Sequence, residues 1–331
     1  MGATVTPDHI LKELADLWVS LGKEGQTDGG AGVLRACSMT LVVLADESED
    51  VAKLGETLAA LMPEHPARAI VVRLHGAGER ALAEHVYSQC WMPFGQRRQI
   101  CCEQIEITAS DPALADLAPV LLPLAVPDLP VIVWCRSPRL VEMPEFHAIA
   151  EMARKVVVDS GEMGDAQSAL RRVADLARGP ALLGDFSWTR VTRWREMLAQ
   201  VFENRRNLAL LEHISGVRVN FGGAYGAAAW YLGAWVQNAL ADAGVDARLS
   251  VEGAPGGKFL RVKLEGEGIR VELARTDDRL AIAVNDLSNV TNLPQPTDYL
   301  LMREELGIVR RDPVFDRTLA SAARLAYPTN E

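Results

Sequence analysis

Cysteine is scarce in this chain, which has only five among 331 residues: Cys37, Cys90, Cys101, Cys102 and Cys135. Their number is odd, and most of them lie in apolar, strand-like surroundings. A small secreted domain held together by disulfides typically carries a denser, even-numbered set. We therefore expect reduced thiols in a cytoplasmic protein. The adjacent pair at 101 and 102 leaves a redox switch open as the alternative.

A surplus of positive charge is absent as well. The chain has 34 basic and 44 acidic side chains, and its formal net charge is -10. Such a balance works against binding to nucleic acid or to anionic membranes, so we expect neither as a partner. One uncharged run, from Phe221 to Leu240, is long enough to span a bilayer. Its four glycines and its centrally placed aromatic residues are typical of a buried helix instead.

Motifs for cofactor, metal or nucleophile chemistry are also missing. A dinucleotide-binding chain needs glycines directly after its first strand, where the backbone approaches a pyrophosphate. Here the predicted strand 36–45 is followed by DESEDVAKLGE, and its carboxylates would repel a phosphate. The sequence has no Walker A motif, no CxxC or HExxH spacing and no GxSxG elbow. We expect no cofactor, no metal and no catalytic site.

The N-terminal half alternates β-branched apolar runs with helical patterns, which is typical of parallel βαβ units covered by helices on both faces. The pattern predicts strands over 36–45, 69–74, 100–108, 131–135 and 155–159. It predicts helices over 7–21, 50–62, 79–91, 112–123, 143–154 and 164–178.

The C-terminal half has a different pattern. Helices are predicted over 188–204, 224–243, 297–308 and 313–326. Four short alternating runs, at 246–252, 258–264, 268–275 and 280–285, have the spacing of an antiparallel meander. The sequence thus predicts an α/β fold in two domains. Residues 1–180 would form a Rossmann-like domain without the nucleotide fingerprint, and residues 181–331 an α+β domain.

Two segments carry more charge than packing requires. In MPFGQRRQICCEQIEI, a turn delivers Arg97 and Arg98 to the start of a strand that contains Glu103. A charge inside a buried strand needs a partner. Glu103 could therefore form an internal ion pair with one of these arginines, or all three could belong to a polar binding surface.

The second segment is GDFSWTRVTRWREMLAQVFENRR at 184–206. At 100° per residue its apolar side chains form one stripe that includes Trp188 and Trp194. Arg190 and Arg195 flank the stripe on opposite sides, and Arg193 lies further round. Tryptophan beside arginine is typical of interface hot spots, so an exposed partner-binding anchor is one interpretation. A helix that faces the core, with arginines reaching solvent, is the other.

Six stretches occur in a distinctive order along the chain: RACSMTLVVLAD at 35–46, HPARAIVV at 65–72, RRQICCEQIEIT at 97–108, LLPLAVPDLPVIVW at 121–134, GDFSWTRVTRWRE at 184–196 and AAAWYLGAWV at 227–236. Together they resemble the OpcA family of glucose-6-phosphate dehydrogenase assembly proteins of bacteria. They follow the family order through most of the chain. The sequence departs from the family at Trp134-Cys135, where a pair of tryptophans is usual.

The resemblance implies a non-catalytic protein that binds glucose-6-phosphate dehydrogenase, promotes its active oligomer and activates it in the oxidative pentose phosphate pathway. Trp188, Arg190, Arg193, Trp194 and Arg195 would then provide one contact surface, with Arg97, Arg98 and Glu103 as a second. The alternative is an enzyme or metabolite sensor that itself binds a sugar phosphate, using the arginines as an anion pocket.

Overall fold

The computed structural model describes residues 6–27, 33–91 and 99–326, which form two compact units. The first unit consists of the residues up to Val158 together with Pro180–Leu183. The second consists of Asp159–Gly179 together with the residues from Gly184 onward. Helices α1–α12 and strands β1–β14 are numbered in chain order below.

A mostly parallel eight-stranded sheet forms the centre of the first unit. Its strands are β1 (Val33–Arg35), β2 (Met39–Asp46), β3 (Ala67–His75), β4 (Leu82–Trp91), β5 (Gln99–Ser110), β6 (Val131–Cys135), β7 (Lys155–Val158) and β8 (Leu182–Asp185). Along the sheet the order is β1-β5-β3-β2-β6-β7-β8, and β4 pairs with β5 in the antiparallel direction. Every residue of β6 and β7 is buried, as expected for parallel strands covered on both faces.

Helix α1 precedes the first strand, and four further helices lie between the strands in the described part of this unit. The five are α1 (Pro7–Thr27), α2 (Val51–Leu61), α3 (Leu117–Leu124), α4 (Pro138–Val141) and α5 (Pro144–Glu151). Three prolines lie between Asp111 and Leu124, and the chain there begins as a 3₁₀ turn at Asp111–Asp116 before α3. The helix predicted over 112–123 is therefore shorter and begins later.

The second unit contains a six-stranded sheet in the order β10-β9-β11-β12-β13-β14. Its strands are β9 (Ile214–Gly222), β10 (Arg248–Gly253), β11 (Phe259–Gly266), β12 (Ile269–Thr276), β13 (Arg279–Val284) and β14 (Leu287–Asn292). Its helices are α6 (Ala166–Leu176), α7 (Phe186–Thr189), α8 (Thr192–Glu203), α9 (Arg205–Leu208), α10 (Gly226–Asp242), α11 (Asp298–Gly307) and α12 (Pro313–Ala326). Helix α10 contains most of the uncharged run, and most of its residues are buried.

The predicted fold class is confirmed. No helix within the described ranges combines the length and the apolar character needed to cross a membrane. The predicted antiparallel meander is present from β11 to β14. However, β10 pairs with β9 in the parallel direction, and β9 was not predicted. The helix predicted over 188–204 is interrupted between Thr189 and Thr192.

The helix predicted over 79–91 is wrong, because residues 82–91 form strand β4. Glutamate, alanine and leucine favoured a helix locally, but the β-branched and aromatic residues Val86 and Tyr87 fit a strand. Pairing with β5 places Cys90 directly opposite Cys101, and the two form a disulfide. The expectation that all five thiols are reduced is thus also wrong. Because the sequence predicted a helix at this position, it did not predict that Cys90 lies opposite Cys101.

Candidate functional site

Glu103 lies inside the first unit and is 3% exposed. Its carboxylate accepts hydrogen bonds from Nε1 of Trp18 and Nε of Arg68, both at 2.6 Å, and pairs with Arg35 at 2.7 Å. These partners belong to α1, β3 and β1, so the carboxylate joins a helix to two strands. The internal ion pair was one of the two alternatives left open by the sequence. Its burial makes Glu103 a structural residue and removes it from a contact surface.

The described partners of Glu103 are Arg35 and Arg68, and neither was among the arginines that the sequence offered. Arg97 and Arg98 lie outside the described residues. Arg35 and Arg68 were missed because β1 and β3 are separated from β5 by many residues in the chain. The only local signal was that strand β3 carries an arginine at a position that should be buried.

The start of α2 is where a nucleotide-binding fold of this kind would hold a pyrophosphate. Here the carboxylate of Asp50 caps the helix and accepts hydrogen bonds from the backbone N–H groups of Ala52, at 2.9 Å, and Lys53, at 3.3 Å. A carboxylate already uses the donors that a phosphate would need, and it has the same sign of charge. The residues at this position do not fit a dinucleotide.

Ion pairs occupy the adjoining edge of the sheet, beyond the carboxyl ends of β2, β5 and β6. Arg139 bridges Asp46, at 2.9 Å, and Asp111, at 2.6 Å. Ser137 donates a hydrogen bond to the same Asp46 carboxylate at 2.8 Å. Open α/β sheets usually bind ligands at such a point, but here the polar groups satisfy one another.

The tryptophans of the 184–206 segment lie in the core of the second unit. Trp188 is 4% exposed and Trp194 is 1% exposed. The Trp188 ring packs against Tyr231 and Phe315 at centroid distances of 5.9 and 5.7 Å. The guanidinium of Arg195 covers the same ring at 3.3 Å, and burial lowers its pKa to about 10. The expected exposed anchor is therefore corrected, because both tryptophans face inward.

Arg190 belongs to this interior as well. Its guanidinium makes two parallel hydrogen bonds to Asp159, at 2.6 and 2.5 Å, and its side chain is 22% exposed. A fork-to-fork pair of this kind fixes both side chains. Arg193 differs, because its side chain is 72% exposed and its ion pair among the described residues is with its helical neighbour Glu196, at 2.9 Å. Of the five residues predicted in this segment, Arg193 alone presents its charge fully to solvent.

A fully buried carboxyl, Asp185, organises this interior. It accepts hydrogen bonds from the backbone N–H groups of Ser160 and Ser187 and from the hydroxyl of Tyr231, at 3.0, 2.9 and 2.8 Å. Burial, together with the nearby Asp159 carboxylate, raises the pKa of Asp185 to about 6. Because it has no exposed surface and three donors surround it, the Asp185 carboxyl connects the segments that contain Ser160, Ser187 and Tyr231.

Sequence reasoning missed the roles of Asp159, Asp185 and Tyr231. A weak signal existed, since both aspartates directly end an apolar strand and precede a serine within two residues. Aspartate in that position commonly caps the following turn. The third partner, Tyr231, lies in the alanine-rich α10, and nothing local connects it with either aspartate.

A glycine-lined cleft of about 460 Å³ lies in the second unit between the start of α6, the start of α10 and strand β10. Asp165 caps α6 there, and its carboxylate accepts a hydrogen bond from the backbone N–H of Ser168 at 2.8 Å. This carboxylate disfavours a phosphate at that helix end. Within the described residues, no cluster of three or more histidine, cysteine, aspartate or glutamate side chains could hold a metal ion.

Among solved structures, the chain is similar to an oxidoreductase from Sinorhizobium meliloti. The TM-score is 0.50 at 12% sequence identity, and the match covers 88% of this chain and 98% of that one. At this identity the likeness concerns the fold alone.

Two cyanobacterial relatives are named OxPP cycle protein OpcA. The protein from Synechocystis sp. is 26% identical over 191 residues, which cover 56% of this chain and 39% of the relative. The protein from Nostoc punctiforme is 26% identical over 122 residues, or 37% of this chain and 26% of the relative. The matched regions thus span less than half the length of these curated relatives.

Family models match two consecutive parts of the chain. Residues 59–175 match the glucose-6-phosphate dehydrogenase subunit N-terminal domain, and residues 181–319 match the C-terminal domain of the same subunit. Together the two matches cover most of the sequence. They follow one another in the same order as the stretches that carry the resemblance. The chain therefore belongs to the OpcA family of glucose-6-phosphate dehydrogenase assembly proteins.

Proposed function

We propose that this protein binds glucose-6-phosphate dehydrogenase in the bacterial cytoplasm, promotes its active oligomer and activates it without catalysing a reaction itself. The observation that carries the proposal is the consecutive match to both family domains, whose names refer to that dehydrogenase. The geometry agrees with a role other than hydride transfer. The carboxylate of Asp50 caps the helix end at which a dinucleotide would bind.

An activator acts by binding the competent state of its partner more tightly than the other states. Equal affinity for all states would shift no population. A tenfold rise in the active fraction requires about 1.4 kcal/mol of such preference. We therefore expect activation to saturate at a fixed ratio of the two proteins. The mass of the dehydrogenase oligomer should change at the same time.

The test is a titration of the purified protein into the dehydrogenase of the same organism, with NADPH formation followed across substrate concentrations. A saturable rise in rate, or a fall in apparent KM, is expected, together with a larger complex in light scattering. No change at saturating protein, with both proteins folded, would refute the proposal. Calorimetry of the isolated protein with glucose-6-phosphate tests the alternative, since direct binding would favour a sugar-phosphate sensor.

A further inference from the structure

One face of the six-stranded sheet is open to solvent. The pairing register places alternate residues of β9–β14 on the same side, and those on the inner side, such as Val219, Val262 and Leu273, are buried. The residues between them form the opposite side, which we call the outer face. Arg218, Arg261 and Val290 on this side are all exposed.

The outer face is basic, although the protein as a whole has a net charge of -10. The charged residues that the register assigns to it are acidic at Glu252, Glu265 and Glu272. The basic ones are twice as many, namely Arg218, Arg248, Arg261, Lys263, Arg270 and Arg279. A positive surface of this kind attracts a partner of opposite charge and accelerates its approach.

Half of these basic side chains form no ion pair within 4 Å among the described residues, although Arg218, after Lys263, contributes to lowering the pKa of the nearby Glu265 carboxyl. Arg261 pairs with Glu272 at 3.3 Å, and Lys263 pairs with Glu265 at 2.6 Å. By contrast, no carboxylate of the described residues lies within 4 Å of Arg218, Arg248 or Arg279.

Arg218 and Arg248 also lie close together on the sheet. The register sets Arg218 opposite Ser250 and Arg248 opposite Gly216, so the two arginines are diagonal neighbours on adjacent strands. Both line a surface cleft of about 740 Å³, which the acidic residues Asp246 and Glu265 also line. An arginine presented beside a cleft is suited to bidentate contact with a carboxylate of another molecule.

An apolar patch adjoins the basic part. Ala274, Ala281 and Val290 lie in one row across β12, β13 and β14, with Ala283 beside them, and Val290 is 59% exposed. Six strands at about 4.8 Å spacing and six to nine residues of length give the face roughly 600–800 Å². A stable interface buries about 800 Å² on each partner, so the face could supply the greater part of one.

We infer that the outer face is the docking surface for an acidic, partly apolar surface of the partner dehydrogenase; this inference rests on the proposed function. A second copy of this chain would place one basic face against another. Nucleic acid is disfavoured because three glutamates are interspersed and Phe259 is the only aromatic residue that the register assigns to this face. Arg218 and Arg248, which form no salt bridge within 4 Å among the described residues, supply the charge at the β9–β10 side of the contact.

The test compares the double variant R218E/R248E with the control R171E/R310E in binding to the dehydrogenase. Arg171 and Arg310 are exposed arginines of the second unit outside the sheet, so both variants change the net charge equally. We expect R218E/R248E to weaken binding about tenfold or more and the control to change it less than about twofold. Raising the salt concentration should weaken wild-type binding and reduce the difference between the variants.

The experiment distinguishes a failure of the docking surface from a failure of the proposed function. If R218E/R248E binds as tightly as the control while wild-type binding and activation persist, the docking surface is refuted and the proposed function stands. If the wild-type protein does not bind the dehydrogenase, both fail. The docking surface is also refuted if R218E/R248E still binds the dehydrogenase but loses a homodimer in light scattering or loses binding to a fluorescent RNA. Should R218E/R248E unfold, R218Q/R248Q and R279E carry the same comparison.

Discussion

Replacing Trp194 by alanine tests whether the tryptophans of the 184–206 segment hold the fold or contact a partner. The indole is 1% exposed in α8. Its neighbour Arg193 is 72% exposed on the same helix, which makes R193E a matched control for the segment. The structure assigns the first residue to the core and the second to the surface.

The expected cost follows from burial. A tryptophan buries roughly 200 Å² of surface, which at about 25 cal/mol per Å² gives about 5 kcal/mol as an upper value. Tryptophan-to-alanine changes in protein cores typically cost about 3–5 kcal/mol. For a unit of this size, each kcal/mol lowers the melting temperature by about 2–4 °C. W194A should therefore melt about 6–20 °C below the wild type.

Thermal and urea unfolding measure this difference, and binding is then measured at a temperature at which W194A is still folded. W194A should lose stability but keep its affinity for the dehydrogenase once folded. R193E should change the free energy of unfolding by no more than about 0.5 kcal/mol. A W194A protein that unfolds within about 1 kcal/mol of the wild type, yet no longer binds, would refute the assignment to the core. Weakened activation by a fully stable R193E would place Arg193 in the contact.

Two further predictions concern buried charges. Because burial raises the pKa of Asp185 to about 6, the folded chain retains a proton between about pH 4 and 6 that the unfolded chain has lost. Stability from this group should fall by about 3 kcal/mol as the pH rises through that window, and D185N should remove this fall in urea unfolding at several pH values. R68M should cost about 3–5 kcal/mol, because it leaves the buried Glu103 carboxylate short of charge compensation. The matched R35M, which removes a side chain 48% exposed, should cost about 1 kcal/mol or less, and equal costs in denaturant titrations would contradict the assignment.

The sequence predicted an element correctly where the residues of a single segment determine its secondary structure. Strand β6 coincides with the predicted 131–135, and α12 with the predicted 313–326. Continuous β-branched runs such as VIVWC fit a strand buried on both faces whatever lies beside it. The acids after β2 likewise indicated a helix start unsuited to a phosphate, and Asp50 caps it.

The features that required the tertiary structure depend on residues distant in the chain. Segment 82–91 becomes a strand because β5 offers it an edge, and that pairing also brings Cys90 to Cys101. Glu103 acquires its charge partners from β1 and β3.

Alternation along β11 and β12 already showed that one side of each strand carries charge. Only the pairing of β9 with β10 and β11 brings Arg218 and Arg248 onto one surface with the charges of β11. The sequence thus determined the fold class, the family and the poor fit to a dinucleotide, because these depend on local composition and order. The tertiary structure decided which charges are buried and which are presented together, because strand register joins residues that the chain keeps apart.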